Sequence, residues 1–382
     1  MKNVLIEFLD EEPLENVITC LHYRFDRVIF LGFSFELQKH KDSITSFLSG
    51  ECGIPVEDVY FYPINSRSMS IIEERIRFVV GTEVTEGNRI FVDITGGESL
   101  PIFAMGRVAE EFKIPIHMYD IKDNRLIEVD GEESYKLSTE MEERIVPMTP
   151  ERYFKLVGAA INPERTSSYF GKYTTEEIAG LEEITVLKEL YLKNKYKWWQ
   201  VIEGLVEADG TVSKLPEDNN YVYQKLLKKK YLIKSGDTFQ YSEFSERALK
   251  KFGDALEIIT MQYFAGQADY VMQSVTIDWD GELHLHANEQ KDVENEIDVF
   301  AMKGNIPCFI SCKAGNLEPD EGKAAIHELE TFASKIAGKK YAEKYLVIAK
   351  NSLKDISIER ARELGIRIIK FNKKGNFETV NE

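Results

Sequence analysis

The sequence predicts an α/β protein with a Rossmann-like domain first, a winged-helix-like segment in the middle and a second α/β domain at the end. Two observations support this fold class. The first 150 residues alternate short apolar runs with amphipathic stretches, which is the pattern of a parallel, doubly wound sheet. A chain of 382 residues is also too long for one ordinary core. We therefore expect domains at residues 1–150, 151–247 and 248–382.

The strands of the first domain are short apolar runs separated by stretches whose apolar residues return every three or four positions, as in PLENVITCLHYR and SMSIIEERIRFVV. That spacing predicts helices with one buried face. The runs predict strands at 4–9, 27–33, 58–64, 89–95 and 114–120. Because strand and helix alternate, the sheet should be parallel and Rossmann-like.

The middle segment predicts three helices followed by a hairpin around an SGD turn, which is the outline of a winged helix. Its candidate recognition helix, 221–230, ends in three lysines. Lysines at a helix C-terminus also complement the helix dipole in solvent, and we favour that interpretation over DNA reading. We expect the pair Trp198 and Trp199 to pack between domains rather than to stack on bases.

The last segment predicts a long helix, SERALKKFGDALEIITMQYFAG, then strands VTIDWD, GELHLHAN, EIDVFAM and PCFISCK. Helices near 322–337 and 353–364, each followed by a strand, complete the domain. His284 and His286 share one strand face, but without a third ligand at a recognisable spacing they indicate ordinary strand surface.

Composition excludes several classes of function. The formal net charge of −17 leaves little general attraction for a polyanion, so any nucleic acid must be held locally. The four cysteines have no CxxC spacing, which indicates reduced thiols and a cytoplasmic location. No apolar run approaches the roughly 20 residues of a membrane span, so we expect no membrane partner.

The run ENEIDVFAMKGNIPCFISCK, residues 294–313, is the first candidate site. Ser311 and Lys313 share one strand face while Cys312 takes the other, and a KGN turn brings Asp298 beside Lys313. An aspartate can hold a hard cation that activates water, and an ammonium can orient that water and stabilise phosphorane charge. A buried ion pair between Asp298 and Lys313 with no metal is the alternative.

This run resembles the core of the PD-(D/E)XK nuclease superfamily, in which an Asp, a hairpin turn and Glu-x-Lys follow one another. The resemblance implies that Asp298 and Glu257 bind a metal with the main-chain carbonyl of Cys312, and that Lys313 is catalytic. Ser311 stands where the pattern has a second carboxylate, which should weaken binding of Mn²⁺ or Mg²⁺. Glu296 or Glu328 is expected to compensate.

The second candidate site is RIFVDITGGESL, where a strand enters Thr-Gly-Gly and then a helix. Glycines let a ligand approach the backbone, and a helix N-terminus offers N–H groups to an anion. The alternative is a tight turn with no ligand. GxGxxG is absent, which argues against a dinucleotide cofactor.

This segment resembles the CARF domain family, in which a D-x-T-G-G turn and the loop after the first strand bind a cyclic oligoadenylate. Asp93 begins the matching turn, and Glu98 after it departs from what an anionic ligand prefers. The ligand contacts that the resemblance implies are Asp10, Phe33, Ser34, Thr95, Gly96 and Gly97.

Together the two segments resemble the ancillary nucleases of type III CRISPR systems. The resemblance implies a homodimer, activated in antiviral defence by cyclic tetra-adenylate, that uses Mn²⁺ or Mg²⁺ to cut DNA, single-stranded or by nicking, and also RNA. Two alternatives stay open. One is a DNA-binding regulator with an inactive nuclease fold, which Ser311 and the lysine-ended helix favour. The other is a CARF domain that cleaves its own activator.

Overall fold

The structure is a computed structural model. It describes residues 1–9, 11–129, 146–166, 169–194, 211–212, 220–235, 238–249, 252–279, 281, 294–337, 340–349 and 353–380. Within them three sheets form, of six, three and seven strands. None of the described helices is long and apolar enough to cross a membrane.

The N-terminal sheet confirms the predicted Rossmann-like domain. Its strand order is β3-β2-β1-β4-β5-β6, parallel throughout except for the antiparallel last strand. The strands are β1 (Asn3–Leu9), β2 (Arg27–Gly32), β3 (Val59–Pro63), β4 (Arg89–Asp93), β5 (Ile116–Asp120) and β6 (Arg125–Glu128). The helices are α1 (Pro13–His22), α2 (Ser34–Cys52), α3 (Met69–Thr85) and α4 (Ser99–Phe112).

Burial explains why these runs become strands. Every residue of β1 from Val4 to Leu9 is buried, as expected for a central parallel strand covered by helices on both faces. Strands β1 and β4 are hydrogen-bonded neighbours at the point where the strand order reverses. The carboxyl ends of such strands border the crevice in which open α/β sheets bind ligands.

The middle segment contains helices and a small antiparallel sheet whose last two strands form the predicted hairpin. The second of the three predicted helices, KWWQVIEGLVEA, lies outside the described residues. The helices are α5 (Pro150–Leu156), α6 (Thr175–Gly180), α7 (Glu182–Asn194), α8 (Asn220–Lys228) and α9 (Glu243–Leu249). The strands are β7 (Ala160–Ile161), β8 (Thr211–Val212), β9 (Leu232–Ser235) and β10 (Thr238–Tyr241). Trp198 and Trp199 lie outside the described residues.

Two of the basic side chains near the end of α8 are occupied within the protein. Lys225 forms an ion pair with Glu189, and Lys229 forms one with Glu182, both acids being on α7. The acid of each pair is exposed, as expected for a helix end in solvent. The geometry thus favours the solvated-helix interpretation over DNA reading.

The C-terminal domain is a seven-stranded mixed sheet of order β16-β15-β14-β13-β12-β11-β7. Its strands after β7 are β11 (Tyr270–Asp278), β12 (Glu294–Lys303), β13 (Ile306–Lys313), β14 (Glu343–Ile348), β15 (Ile366–Phe371) and β16 (Phe377–Thr379). Its helices are α10 (Phe252–Ala265), α11 (Pro319–Ala337) and α12 (Asp355–Glu363). The predicted long first helix corresponds to α9 and α10, and residues 250–251 between them lie outside the described residues, as does the predicted strand around His284 and His286.

The two α/β domains pack directly against each other through α5. The ring of Phe154 lies 4.8 Å from that of Phe300 on β12, measured between centroids, and Tyr153 stacks on the same ring. All three side chains are fully buried. Separating the two domains would break these aromatic contacts and expose the rings to water, so the shared core holds the domains together.

Candidate functional site

The hairpin of β12 and β13 brings the predicted active-site residues together. The Oδ2 atom of Asp298 accepts the Cys312 N–H at 2.6 Å and the Ser311 hydroxyl at 3.2 Å. Burial raises the pKa of Asp298, while these hydrogen bonds and the Lys313 charge oppose the increase. Ser311 therefore holds the aspartate in place as a donor, which a carboxylate at this position cannot do.

A strained residue lies opposite Asp298 on β11. The pairs Gln273 with Val299 and Val275 with Ile297 put Ser274 opposite Asp298, and Ser274 has a φ of 48°. A serine in the left-handed region is uncommon in a strand, and such strain is concentrated at functional sites. Here it coincides with a hydroxyl that donates to Glu257 at 3.2 Å.

Glu257 is held behind the strands by two donors, the Ser274 hydroxyl and the Gln273 amide, the latter at 3.0 Å. Burial and the nearby Asp298 raise the pKa of Glu257 to about 7. Near neutral pH it therefore exchanges a proton. This is the behaviour of a carboxyl group that is poised to ionise when a cation arrives.

We expect the metal-free protein to become more stable as pH falls from 8 to 6.5. The folded state takes up a proton at Glu257 in this window because its pKa there is about 7, whereas the unfolded chain does so only near 4.5. The gain is about 1 kcal/mol in the free energy of unfolding, measured by urea denaturation in EDTA.

Two comparisons test this assignment. Glu257→Gln should remove the Glu257 contribution and leave the smaller slope that Glu7 and Asp93, whose pKa values are also raised, contribute. Mn²⁺ should reverse the sign of the Glu257 contribution if the cation binds beside the ionised carboxylates. Equal slopes for wild type and Glu257→Gln would show that another group titrates.

A cavity of about 440 Å³ opens beside Asp298, Ser311 and Lys313, with α11 as its far wall. Glu296 and Glu328 line it, as predicted for acids that compensate for Ser311, whereas Glu257 does not. The Glu328 carboxylate lies 3.8 Å from the Lys313 ammonium. Sequence reasoning missed further residues that line the cavity, among them Trp279, His327, Phe332 and Lys335.

A metal would be held here by few protein ligands. Among the residues that the structure describes, no cluster of three or more His, Cys, Asp or Glu side chains has the arrangement of a metal site. The described hydrogen bonds of Asp298 both go to Oδ2, which leaves Oδ1 for a cation. One or two carboxylates with several waters suit Mg²⁺ or Mn²⁺, so Asp298 and Glu296 fit such an ion, and Glu257 and Cys312 stay predicted ligands.

The Thr-Gly-Gly turn after β4 is held by hydrogen bonds inside the domain. The carboxylate of Asp93 accepts the Thr95 N–H at 2.6 Å and the Thr19 hydroxyl. The Thr95 hydroxyl accepts the Tyr119 N–H at 2.7 Å. The polar groups of Thr95 therefore maintain the turn, and its predicted ligand contact stays untested.

Two buried carboxyl groups lie under this turn. Glu7 and Asp93 are each 1% exposed, and Asn16 donates to Glu7 at 3.1 Å. Burial raises the pKa of both, to about 6 for Asp93, and the Asp93 charge raises that of Glu7 further. Two acids that repel each other this close cost stability when both ionise, so protons are retained here at mildly acidic pH.

A second cavity, of about 570 Å³, opens at the carboxyl edge of the N-terminal sheet. Gly97 lines it with a φ of 115°, and a Cβ there would lie 2.8 Å from Ile102, so only glycine fits. The N-terminus of α4 borders it and has no side-chain cap, which leaves N–H groups for an anion. The other lining residues are Glu11, Phe33, Arg67, Ile72, Glu98, Ser99, Leu100, Pro101 and Lys340.

Some of the predicted ligand contacts line this cavity and others do not. Phe33 and Gly97 line this cavity. Gly96 is buried, and a Cβ there would lie 3.0 Å from that of Glu15, so it allows α1 to pack closely. The Ser34 N–H donates to Asn65 at 3.1 Å, and Asp10 lies outside the described residues.

Lys340 reaches this cavity from the C-terminal domain, which sequence reasoning missed. Its ammonium binds the Glu15 carboxylate at 3.0 Å, and the Tyr341 hydroxyl donates to the same group at 2.8 Å. Its N–H donates to Glu12 at 3.1 Å. Lys340 and Tyr341, shortly after α11, therefore connect α1 of the N-terminal domain to the C-terminal domain, which carries Asp298.

The fold and the two sites define a class of protein: a Rossmann-like domain with an anion-receptive turn, joined to an α/β domain with an Asp and a Lys on paired strands. Residues 245–381 match the family model of the Card1-like endonuclease domain. The C-terminal domain is thus similar to endonucleases of that family. No curated protein matches the chain in sequence.

Solved structures share the fold over almost the whole chain. Protein VC1899 from Vibrio cholerae is 16% identical with a TM-score of 0.71, and the match covers 96% of this chain and 94% of that one. Can2 from Sulfobacillus thermosulfidooxidans, solved with cyclic tetra-adenylate, is 15% identical with a TM-score of 0.62, over 96% and 92%.

A type III CRISPR defence DNA nuclease activated by cyclic oligoadenylate is 14% identical with a TM-score of 0.54. That match covers 97% of this chain and 48% of the other, so this chain spans about half its length. Identities this low establish the shared fold. The predicted order, a Rossmann-like domain followed by a domain similar to endonucleases, is confirmed.

Proposed function

We propose that the protein is a metal-dependent nuclease that a cyclic oligoadenylate, namely cyclic tetra-adenylate, activates in type III CRISPR antiviral defence. The observation that carries the nuclease assignment is the Asp298 carboxylate, held by the Cys312 N–H and the Ser311 hydroxyl next to Lys313 in an open cavity. The family match of residues 245–381 supports it.

The side chains at the proposed site have different roles in cleaving a phosphodiester. A bound Mn²⁺ or Mg²⁺ would supply Lewis acidity and a more acidic water. Asp298 and Glu296 would hold the cation, and Lys313 places its ammonium where negative charge develops on the phosphate. Glu257 donates or accepts a proton behind Asp298 and so adjusts the charge of the cluster.

The substrate we propose is DNA, single-stranded or nicked, with RNA as a second substrate. The net charge of −17 gives an intact duplex little general attraction. A single strand needs fewer phosphate contacts because its exposed bases can also be bound.

The test mixes the full chain with cyclic tetra-adenylate, Mn²⁺ and labelled single-stranded DNA, supercoiled plasmid or RNA. We expect cleavage that needs both the activator and the metal. No cleavage of any substrate would refute the nuclease proposal. A specific duplex shift without cleavage would support the regulator instead, and loss of the activator itself would support activator cleavage.

The regulator is the weaker candidate because Lys225 and Lys229 are paired with α7. A recognition helix needs its basic groups directed at phosphates or base edges. Lys228 and Lys230 are exposed, but two lysines provide a small electrostatic footprint on so acidic a chain.

We further propose that the protein is a homodimer through its N-terminal domains. Phe35, Phe78 and Phe103 are 73%, 62% and 62% exposed on α2, α3 and α4, and α3 packs beside α4. Leu100, also exposed, lines the second cavity. Leu100 lies one turn before Phe103 on α4, so exposed apolar side chains begin beside the pocket, as expected if two copies enclose one two-fold-symmetric ligand.

The double variant Phe78→Glu with Phe103→Glu should therefore be monomeric by light scattering and should bind cyclic tetra-adenylate at least about tenfold more weakly. Ile356→Glu, a matched change at an exposed position on α12, should leave both properties unchanged. A dimer that survives the double substitution would place the interface elsewhere.

A further inference from the structure

One wall of the Asp298 cavity is aromatic, and phosphodiester hydrolysis by itself does not require this. Trp279 and Phe332 meet edge to face with centroids 5.3 Å apart, and Phe332 meets Phe309 at 5.9 Å. Both Trp279 and Phe332 are only partly buried. The indole N–H of Trp279 donates to Asn295 at 2.5 Å, which fixes the orientation of the ring.

The Lys335 ammonium lies over the Trp279 ring, 3.6 Å from its centroid. Lys335 is exposed and lines the same cavity as Asp298 and Lys313. A cation over an indole is attracted by the ring, but the contact is weak where water competes for the charge.

We propose that Trp279 is the platform of a nucleobase subsite beside the reaction centre. An unpaired base next to the scissile phosphate stacks on the indole, and the Lys335 ammonium moves to a neighbouring phosphate. This subsite rests on the proposed nuclease function and deepens it, because it names the substrate class as a strand with unstacked bases.

The exchange is favourable because stacking of a base on an aromatic ring is worth more than an exposed cation–π contact. Lys335 loses a weak partner and gains a phosphate, while the base gains a flat apolar surface. A cavity of about 440 Å³ is within the range of small-molecule pockets. A base within a duplex has both faces covered, so it cannot stack here without leaving the helix.

Base stacking would also provide affinity for a nucleic-acid strand that the net charge of the chain does not provide. Stacking tolerates any sequence because every base has a π-face. It depends little on net charge, so a protein of charge −17 can hold a strand through bases where it cannot do so through phosphates alone. The plainer explanation is that Trp279 and Phe332 only close the core beneath α11.

The test compares a short oligothymidylate with an abasic strand of the same length. Binding is measured by fluorescence anisotropy with the full chain, activator and Mn²⁺, in a Lys313→Met background that prevents cleavage. We expect the oligothymidylate to bind at least about tenfold more tightly than the abasic strand. Trp279→Ala should reduce that ratio to about one without changing binding of the abasic strand, and Trp279→Phe should keep most of it.

Lys335→Met gives a second, independent readout. It should weaken binding of the abasic strand and reduce the salt dependence by about one counterion, while the ratio between the two strands rises because the indole is uncovered. Lys323→Met, an exposed lysine on the same helix that pairs with Asp320, is the matched control and should change neither.

The outcomes separate the two proposals. If wild type cuts nucleic acid but Trp279→Ala keeps the full ratio, or weakens both strands equally, the subsite is wrong and the nuclease stands. If wild type neither cuts nor binds either strand, both proposals fail.

Discussion

Lys313→Met is expected to cut nucleic acid at least about a hundredfold more slowly than wild type, at saturating activator and Mn²⁺. Lys313 ends β13 one residue after Cys312, whose N–H holds Asp298. Its positive charge lowers the pKa of Asp298, so the ammonium acts on the carboxylate at the proposed reaction centre. Without it, charge that develops on the phosphate has no fixed partner, so the rate of the chemical step falls.

The change should not unfold the protein, so the loss can be assigned to chemistry. The ion pair that the structure shows for Lys313 is with the exposed carboxylate of Glu328 at 3.8 Å, and exposed pairs contribute little to stability. Initial rates on single-stranded DNA give the measurement, with thermal unfolding as a check. A rate within twofold of wild type would mean that Lys313 takes no part in the chemistry. Lys323→Met should be indistinguishable from wild type.

Lys340→Met is expected to bind cyclic tetra-adenylate about tenfold more weakly and to lose most of the activation that the ligand causes. Lys340 lines the N-terminal cavity but belongs to the loop that follows α11, and it binds Glu15 at 3.0 Å. A ligand phosphate in the cavity would compete for the same ammonium. A charge-assisted hydrogen bond contributes about 1.5–3 kcal/mol, enough for a tenfold change in affinity.

This variant should distinguish binding of the activator from transmission of the activating signal to the C-terminal domain. Glu15 keeps the Tyr341 hydroxyl at 2.8 Å, so the contact between domains is weakened rather than abolished. Affinity is measured with labelled activator, and activation as the ratio of cleavage rates with and without it. Lys354→Met, an exposed lysine elsewhere in the C-terminal domain, is the control. Normal activation by the Lys340 variant would mean that the signal passes through another contact.

Most of the architecture could be predicted because it depends on local patterns. The five predicted N-terminal strands coincide with β1 to β5 within a few residues, since a buried parallel strand must be apolar along its length. The β12 and β13 hairpin could be predicted because a short turn forces neighbouring strands to pair. That pairing brought Asp298 next to Ser311 and Cys312.

Contacts between distant parts of the chain could not be predicted in this way. Lys340 and Glu15 meet only because two separately formed domains dock, and no periodicity encodes that distance. Trp279 was missed because an aromatic at a strand end is usually core, and its position became clear only when α11 was packed over it. Thr95 stays a predicted ligand contact, because the motif that suggested it shows which residues form a turn, not which way each hydroxyl points.

The two-residue strand β7 indicates that the C-terminal domain, as a folding unit, begins upstream of residue 245. It pairs with Ile277 and Asp278 on β11, and Asn162 and Thr166 add hydrogen bonds to Thr276. A fragment starting at residue 245, where the family match begins, would leave that strand edge bare and prone to pair with another chain. The smallest nuclease that remains soluble by itself should therefore carry the segment from α5 onward, even though that segment lies far upstream in the sequence.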